Sequence, residues 1–133
     1  MIYLLDVNLL VAWGWADHAD HSRVGTWLAA QRGVTGTQLL TSAIPELGFV
    51  RVSIQRSRGR VTPAQASRVL ASMIQSLGAA HHFLVDDEPS RTWPTWCHGA
   101  GQTTDAHLVR LAEAHGATLA TLNQGILGAF LVP

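Results

Sequence analysis

Three acidic side chains fall where the sequence changes character. Asp6 directly follows the apolar run at residues 2–5 (IYLL), Glu46 comes soon after a second short run around residues 37–41, and Asp105 stands where an apolar helical pattern resumes after an irregular stretch. Asn123 follows a third run, ATLAT at residues 117–121. Carboxylates brought to one place repel. At 4 Å and an effective dielectric near 20, each like pair costs about 4 kcal/mol before screening. A bound divalent cation offsets that cost, and Mg²⁺ takes only one or two carboxylates, keeping waters for a substrate phosphate and a nucleophile. Converging acids of this kind therefore point to phosphodiester hydrolysis more than to a structural ion.

The elements that must position these acids are legible in outline. IYLL reads as a buried strand running into a helix, LLVAWGW, and VGTWLAAQ at 24–31 reads as a second helix stopped by Gly33. After the strand around 37–41, Ser42 is placed to cap a helix with Pro45 and Glu46 in its first turn, running to about Ser57. Thr62 and Pro63 start another, which continues through Leu70 and Ile74 to Gly78. Residues 82–85 read as a strand entering the acidic loop Asp86, Asp87 and Glu88, and residues 90–101 as irregular. A helix from Thr103 to Gly116, the strand at 117–121 and a possible last strand in AFLV complete the chain.

Strands alternating with helices imply an α/β fold of three layers, α/β/α, around a mostly parallel sheet of four to five strands. In such sheets ligands sit beyond the carboxyl ends of the strands. That rule places Asp6, Glu46, Asp105 and Asn123 on one edge.

Composition narrows the class further. A chain of 133 residues suits a single domain spanning 1–133, and with 47% hydrophobic and 14% charged residues it has ample apolar material for a core. No apolar run approaches the roughly 18 residues of a membrane span and the N-terminus lacks a basic leader, so a soluble, cytoplasmic protein is expected. The lone Cys97 rules out an intrachain disulfide and a cysteine zinc cluster. Net charge is zero, so any attraction for nucleic acid must be local. All nine basic residues are arginine, and Arg51, Arg56, Arg58, Arg60 and Arg68 lie in a stretch, 47–85, with no acid. That segment can draw in phosphates, or be a solvated helix face balanced by acids elsewhere.

Three segments together carry a family resemblance. LLDVNLLVA (4–12) resembles the first motif of PIN-domain ribonucleases, SAIPELGFVRV (42–52) the second, and TTDAHLVRLAEAHGATLATLN (103–123) the third and fourth run together. The nearest subgroup is the VapC-type toxin of bacterial toxin–antitoxin pairs. The resemblance implies that Asp6, Glu46 and Asp105 bind Mg²⁺ or Mn²⁺, that Asn8 and Thr104 support the site, and that a metal-activated water cuts RNA, often transfer or ribosomal RNA in single-stranded or loop regions. It implies a homodimer and a small VapB-like antitoxin that inserts a basic or aromatic segment near the acids. Arg51, Arg56, Arg58 and Arg60 would contact the RNA. The sequence departs from the pattern at Asn123, where the family usually carries a fourth acid; a neutral amide there implies one firm ion, with a second held weakly or only with substrate.

Each feature also has a plainer account. Asp6 can cap the helix that follows it, Glu46 can complement the dipole of its own helix, and Asp105 can do the same for a third. His18, His21, His81 and His82 read as surface residues, although a histidine near 18–21 can lie close to the site entrance. Trp13, Trp15 and Trp27 read as core or dimer contacts; Trp93 and Trp96, in a loop, can pack or stack on an unpaired base. Asp86, Asp87 and Glu88 read as a solvated loop. A PIN-fold binding module with hydrolysis lost, motivated by Asn123, is the main rival function, and a DNA-directed nuclease shares the same carboxylate chemistry.

Overall fold

The computed structural model describes all residues from Met1 to Pro133. Its centre is strand β1, Ile2–Leu5, whose residues alternate between two apolar layers. Tyr3 and Leu5 face one side and Leu4 the other, the period-two pattern of a strand covered on both faces. Strands β2 (Gln38–Ser42), β3 (His81–Leu84), β4 (Thr118–Thr121) and β5 (Phe130–Leu131) complete a sheet in the order β3-β2-β1-β4-β5, and every pairing is parallel. The α/β/α fold read from the sequence is the one observed.

Four helices cover the first face. They are α1 (Val7–Gly14), α2 (His21–Arg32), α3 (Ala43–Arg56) and α4 (Pro63–Ser76). Their inward residues, among them Leu9, Leu10, Val24, Trp27, Phe49 and Leu70, share one core with Tyr3, Leu5 and Leu39. The second face is closed by α5 (Ala100–Ala114), whose Leu108, Val109, Leu111 and Ala112 pack on Leu4, Leu40 and Leu119. The chain moves outward from β1 through β2 to β3, then returns by α5 to β4 on the other side of β1. That reversal makes the carboxyl end of β1 and β4 a topological switch point, where open α/β sheets bind ligands.

Glycine permits the approach of α3 to α1 beside this point. A Cβ at Gly48 would lie 2.6 Å from Val7 Cγ2, and one at Gly14 would lie 2.6 Å from the Phe49 ring. Both contacts are closer than a methyl group allows, so two hydrogens in place of side chains set how near α3 comes to α1.

Several boundaries differ from the sequence reading, for local reasons. Helix α5 begins at Ala100, not Thr103, because the Gln102 side chain accepts from the backbone N–H groups of His98 and Gly99 and so closes the first turn. Asp105 consequently lies in the second turn. Ser42 occupies the N-cap position of α3 but its hydroxyl donates across the sheet to the Leu84 carbonyl, so it does not cap. Thr62 does cap α4, in a reciprocal box with Gln65. The acidic loop is not merely solvated: Asp86 meets His107 at 2.7 Å, Asp87 meets His115 at 2.9 Å and Glu88 meets Arg110 at 3.4 Å, pinning the loop along α5. His115 thereby holds the Asp87 carboxyl below its ordinary value. Trp27 is buried against Tyr3 and Phe130, whereas Trp93 is 42% exposed and Trp96 packs beside α5. No helix is long and apolar enough to cross a membrane.

Candidate active site

Asp6 ends β1 and its carboxylate has two partners. Oδ1 accepts from the Val7 N–H at 2.7 Å, so Asp6 caps α1 as the plainer reading allowed, and Oδ2 accepts from the Thr121 hydroxyl at 2.7 Å. The residue is 4% exposed. Burial raises its pKa above 3.8; the Thr121 and Val7 hydrogen bonds oppose the rise, and the negative charge of Asp105 adds to it. Asp105, projecting from α5, is also raised by burial. Both line one cavity of about 440 Å³ together with Asn8, Thr104, His18, Arg51 and Arg56. Two carboxylates that resist ionisation, facing two guanidinium groups, are an arrangement that a cation and a phosphate would each relieve.

Thr121, which sequence reasoning did not single out, is the organiser. Its hydroxyl has one proton, donated to Asp6, and its oxygen accepts from Asn8 Nδ2 at 3.1 Å and from the Asn123 N–H at 3.1 Å. Asn8 completes the tie by accepting from the Leu122 N–H at 3.1 Å. Asn8 thus joins α1 to the end of β4. The only signal of Thr121 in the sequence was a threonine at the end of an apolar run, which looks like any strand residue.

Glu46 does not join the other two acids. Its carboxylate accepts from the Thr41 hydroxyl at 2.7 Å, and that oxygen lies 2.7 Å from His81 Nε2. A carboxylate accepts only, so the hydroxyl proton points to Glu46 and His81 Nε2 carries the hydrogen it gives to Thr41. Burial lowers the His81 pKa, with Glu46 opposing the shift. Glu46 borders a separate, mostly apolar cavity of about 520 Å³ between α3 and α4, lined by Leu47, Val50, Leu70 and Ile74. Glu46, held near the end of β2, and Asn123, two residues past β4, lie on the carboxyl edge of the sheet, but neither turns its side chain to Asp6 and Asp105. Thr41 holds Glu46 in α3 toward β2 and β3, and Asn123 spends its side-chain oxygen on the Gly125 N–H at 3.0 Å, closing the turn after β4.

The arginines divide in the same way. Arg51 and Arg56 reach the cavity, and Arg56 also pairs with Asp17 at 3.0 Å and lies 5.0 Å from the Trp15 ring centre. Arg58 and Arg60 sit on the exposed turn after α3, where Arg58 adopts a positive φ of 53°. His18, read as a surface residue, lines the cavity. His21 instead is bonded to the Ala12 carbonyl at 2.9 Å.

No group of three or more His, Cys, Asp and Glu side chains forms a ready cage for a metal. The oxygen donors of Asp6 and Asp105 fit a hard cation that takes one or two carboxylates and keeps its waters, which describes Mg²⁺ and Mn²⁺ better than zinc or calcium.

No family model matches the sequence. Curated proteins do. Ribonuclease VapC39 of Mycobacterium tuberculosis is 35% identical over 132 residues, covering 95% of this chain and 91% of its own length. Ribonuclease VapC38 of the same organism is 38% identical over 130 residues, covering 92% and 86%. Ribonuclease VapC44 is 35% identical over 135 residues, covering 92% and 87%. Identity of this level along nearly the full length, on a fold that sets Asp6 and Asp105 at the switch point of a parallel sheet, means that the chain belongs to the VapC ribonuclease family.

Proposed function

We propose that this chain, as a single PIN domain, is the toxin of a toxin–antitoxin pair and hydrolyses RNA phosphodiesters in the Asp6–Asp105 cavity with Mg²⁺ or Mn²⁺. The observation that carries the reading is the pairing, in one cavity, of two carboxylates raised by burial with Arg51 and Arg56. Asp6 and Asp105 would hold the ion. When bound, it supplies positive charge against the phosphate and lowers the pKa of a water. Thr121 and the Val7 N–H fix Asp6 in one orientation, Asn8 locks the strand end on which Thr121 sits, and Arg51 and Arg56 draw the RNA backbone into place. Glu46 enters this chemistry only by giving up Thr41. Arg58 and Arg60, on the turn beyond, would contact a longer strand, and Thr104 would line its path.

The substrate class comes from the family resemblance, which implies single-stranded or loop regions of transfer or ribosomal RNA, where unpaired bases leave the backbone accessible. A small VapB-like antitoxin, a homodimer and a cytoplasmic setting belong to the reading as its partners and place.

The test incubates antitoxin-free protein with total bacterial RNA in Mg²⁺, Mn²⁺ or EDTA, beside Asp6→Asn, Asp105→Asn and Glu46→Gln. Cleavage that needs the ion and is lost in the two aspartate variants supports the site. Glu46→Gln should reduce cleavage less than either, because its carboxylate starts on Thr41. Cleavage that persists in EDTA or in Asp6→Asn would remove the proposal. A binding module without hydrolysis is favoured by one observation, the neutral Asn123 turned toward Gly125. RNA binding without cleavage, restored to cleavage by Asn123→Asp, would select it.

A further inference from the structure

The corner between α1 and α2 is held at four points. Trp15 Nε1 donates to Ser53 Oγ at 3.1 Å, Arg56 pairs with Asp17 at 3.0 Å, His21 Nδ1 is bonded to the Ala12 carbonyl at 2.9 Å, and the Asp20 backbone N–H donates to His18 Nδ1 at 3.0 Å. The last contact decides what His18 can do. A ring nitrogen that accepts an N–H carries no proton, so in this arrangement the imidazole is neutral and its single hydrogen is on Nε2. His18 lines the cavity that holds Asp6 and Asp105, and Arg51 and Arg56 line it too.

We propose that His18 is a substrate-binding residue whose Nε2–H donates to a non-bridging phosphate oxygen of the RNA strand in this cavity. The inference rests on the ribonuclease reading and adds a residue to it. A neutral directional donor suits this position for a physical reason. Arg51 and Arg56 supply charge but hold it on long side chains, and Arg56 is shared with Asp17 and Trp15. Imidazole on a corner tied at four points adds a fixed direction with little further loss of freedom on binding. It also adds no positive charge that would compete with a cation between Asp6 and Asp105.

Two substitutions separate the donor from the corner. His18→Asn keeps an acceptor for the Asp20 N–H, in the same two-residue turn that Asn side chains commonly close, and removes the distal donor. His18→Gln carries an amide N–H out to about the reach of Nε2. The probe is a fluorescein-labelled single-stranded RNA of mixed sequence, about 12 nucleotides long; binding is read by anisotropy in EDTA over a salt series, and cleavage of the same RNA is read in Mn²⁺.

His18→Asn is expected to bind about tenfold more weakly, the effect of one hydrogen bond to a charged group. Its slope of log affinity against log salt should match that of the wild type, because a neutral donor releases no counterion. Arg51→Gln should instead flatten the slope by about 0.7 unit, the value for one phosphate contact on a single strand. His18→Gln should recover most of the loss. Unchanged affinity in His18→Asn overturns the proposal, as does a flattened slope or a His18→Gln variant as weak as His18→Asn. A wild-type chain that binds the RNA with this dependence on His18 yet never cuts it removes the ribonuclease reading and leaves His18 in place. Cleavage with unchanged binding in His18→Asn removes His18 alone.

Discussion

Replacing Thr121 by valine tests whether one hydroxyl organises the end of the sheet. Thr121 is 1% exposed; it donates to Asp6 at 2.7 Å and accepts from Asn8 and from the Asn123 N–H at 3.1 Å each. Valine keeps the branched shape, so little of the effect comes from packing. What is lost is a hydrogen bond to a carboxylate, worth about 1.5–3 kcal/mol, together with the acceptor for two N–H groups. Asp6 limits the damage by taking up a proton more readily once its donor is gone. A net cost of about 2 kcal/mol follows, which in a domain of this size lowers Tm by roughly 6–10 °C. Thr121→Ser retains the hydroxyl and loses one methyl group, about 1 kcal/mol. The assay is thermal and urea unfolding at pH 7 in EDTA, where no ion can stand in for the missing donor. A Thr121→Val variant as stable as the wild type, or a serine variant as damaged as the valine one, would refute this account of the site.

Other outcomes follow from the same geometry. Mn²⁺ at about a hundred times its dissociation constant should stabilise the wild type by about 2.7 kcal/mol, and Asp6→Asn and Asp105→Asn should lose most of that gain in a melting titration. In EDTA the two aspartates make stability depend on pH in one direction. Because burial raises Asp6 above its unfolded value of 3.8, its share of stability is fully present below that value and is lost as the pH rises through the folded one. The stability of Asp6→Asn relative to wild type should therefore increase with pH from about 3.8 upward and then level off, as urea unfolding across pH would report; a flat difference would show that Asp6 is not strained by burial. Gly48→Ala places a methyl 2.6 Å from Val7 Cγ2 and should cost about 1–3 kcal/mol in the same unfolding assay, through separation of α3 from α1.

Much of the architecture was legible because it depends on local pattern. Residues 2–5 and 117–121 are short apolar runs that end at polar residues, and Thr62 followed by Pro63 marks a helix start. A parallel sheet with helices on both sides follows from such alternation, and Asp6 at the end of its first strand was correctly placed by it. The helix that carries Asp105 was also legible, although its start moved three residues once Gln102 was seen to close the turn.

The sequence by itself thus determined the order of elements, the two apolar layers and the position of Asp6 at a strand end, since periodicity and turn chemistry act over a few residues. Only the tertiary structure decided the company each side chain keeps. Thr121 meets Asp6 across 115 positions and Asn8 across 113, Glu46 turns to Thr41 and through it to His81, and residues 86–88 fasten to His107, Arg110 and His115. Each of these contacts is a competition among several possible partners for one proton or one oxygen. Spacing along the chain carries no record of who wins, because the rivals become neighbours only when the sheet and helices are packed.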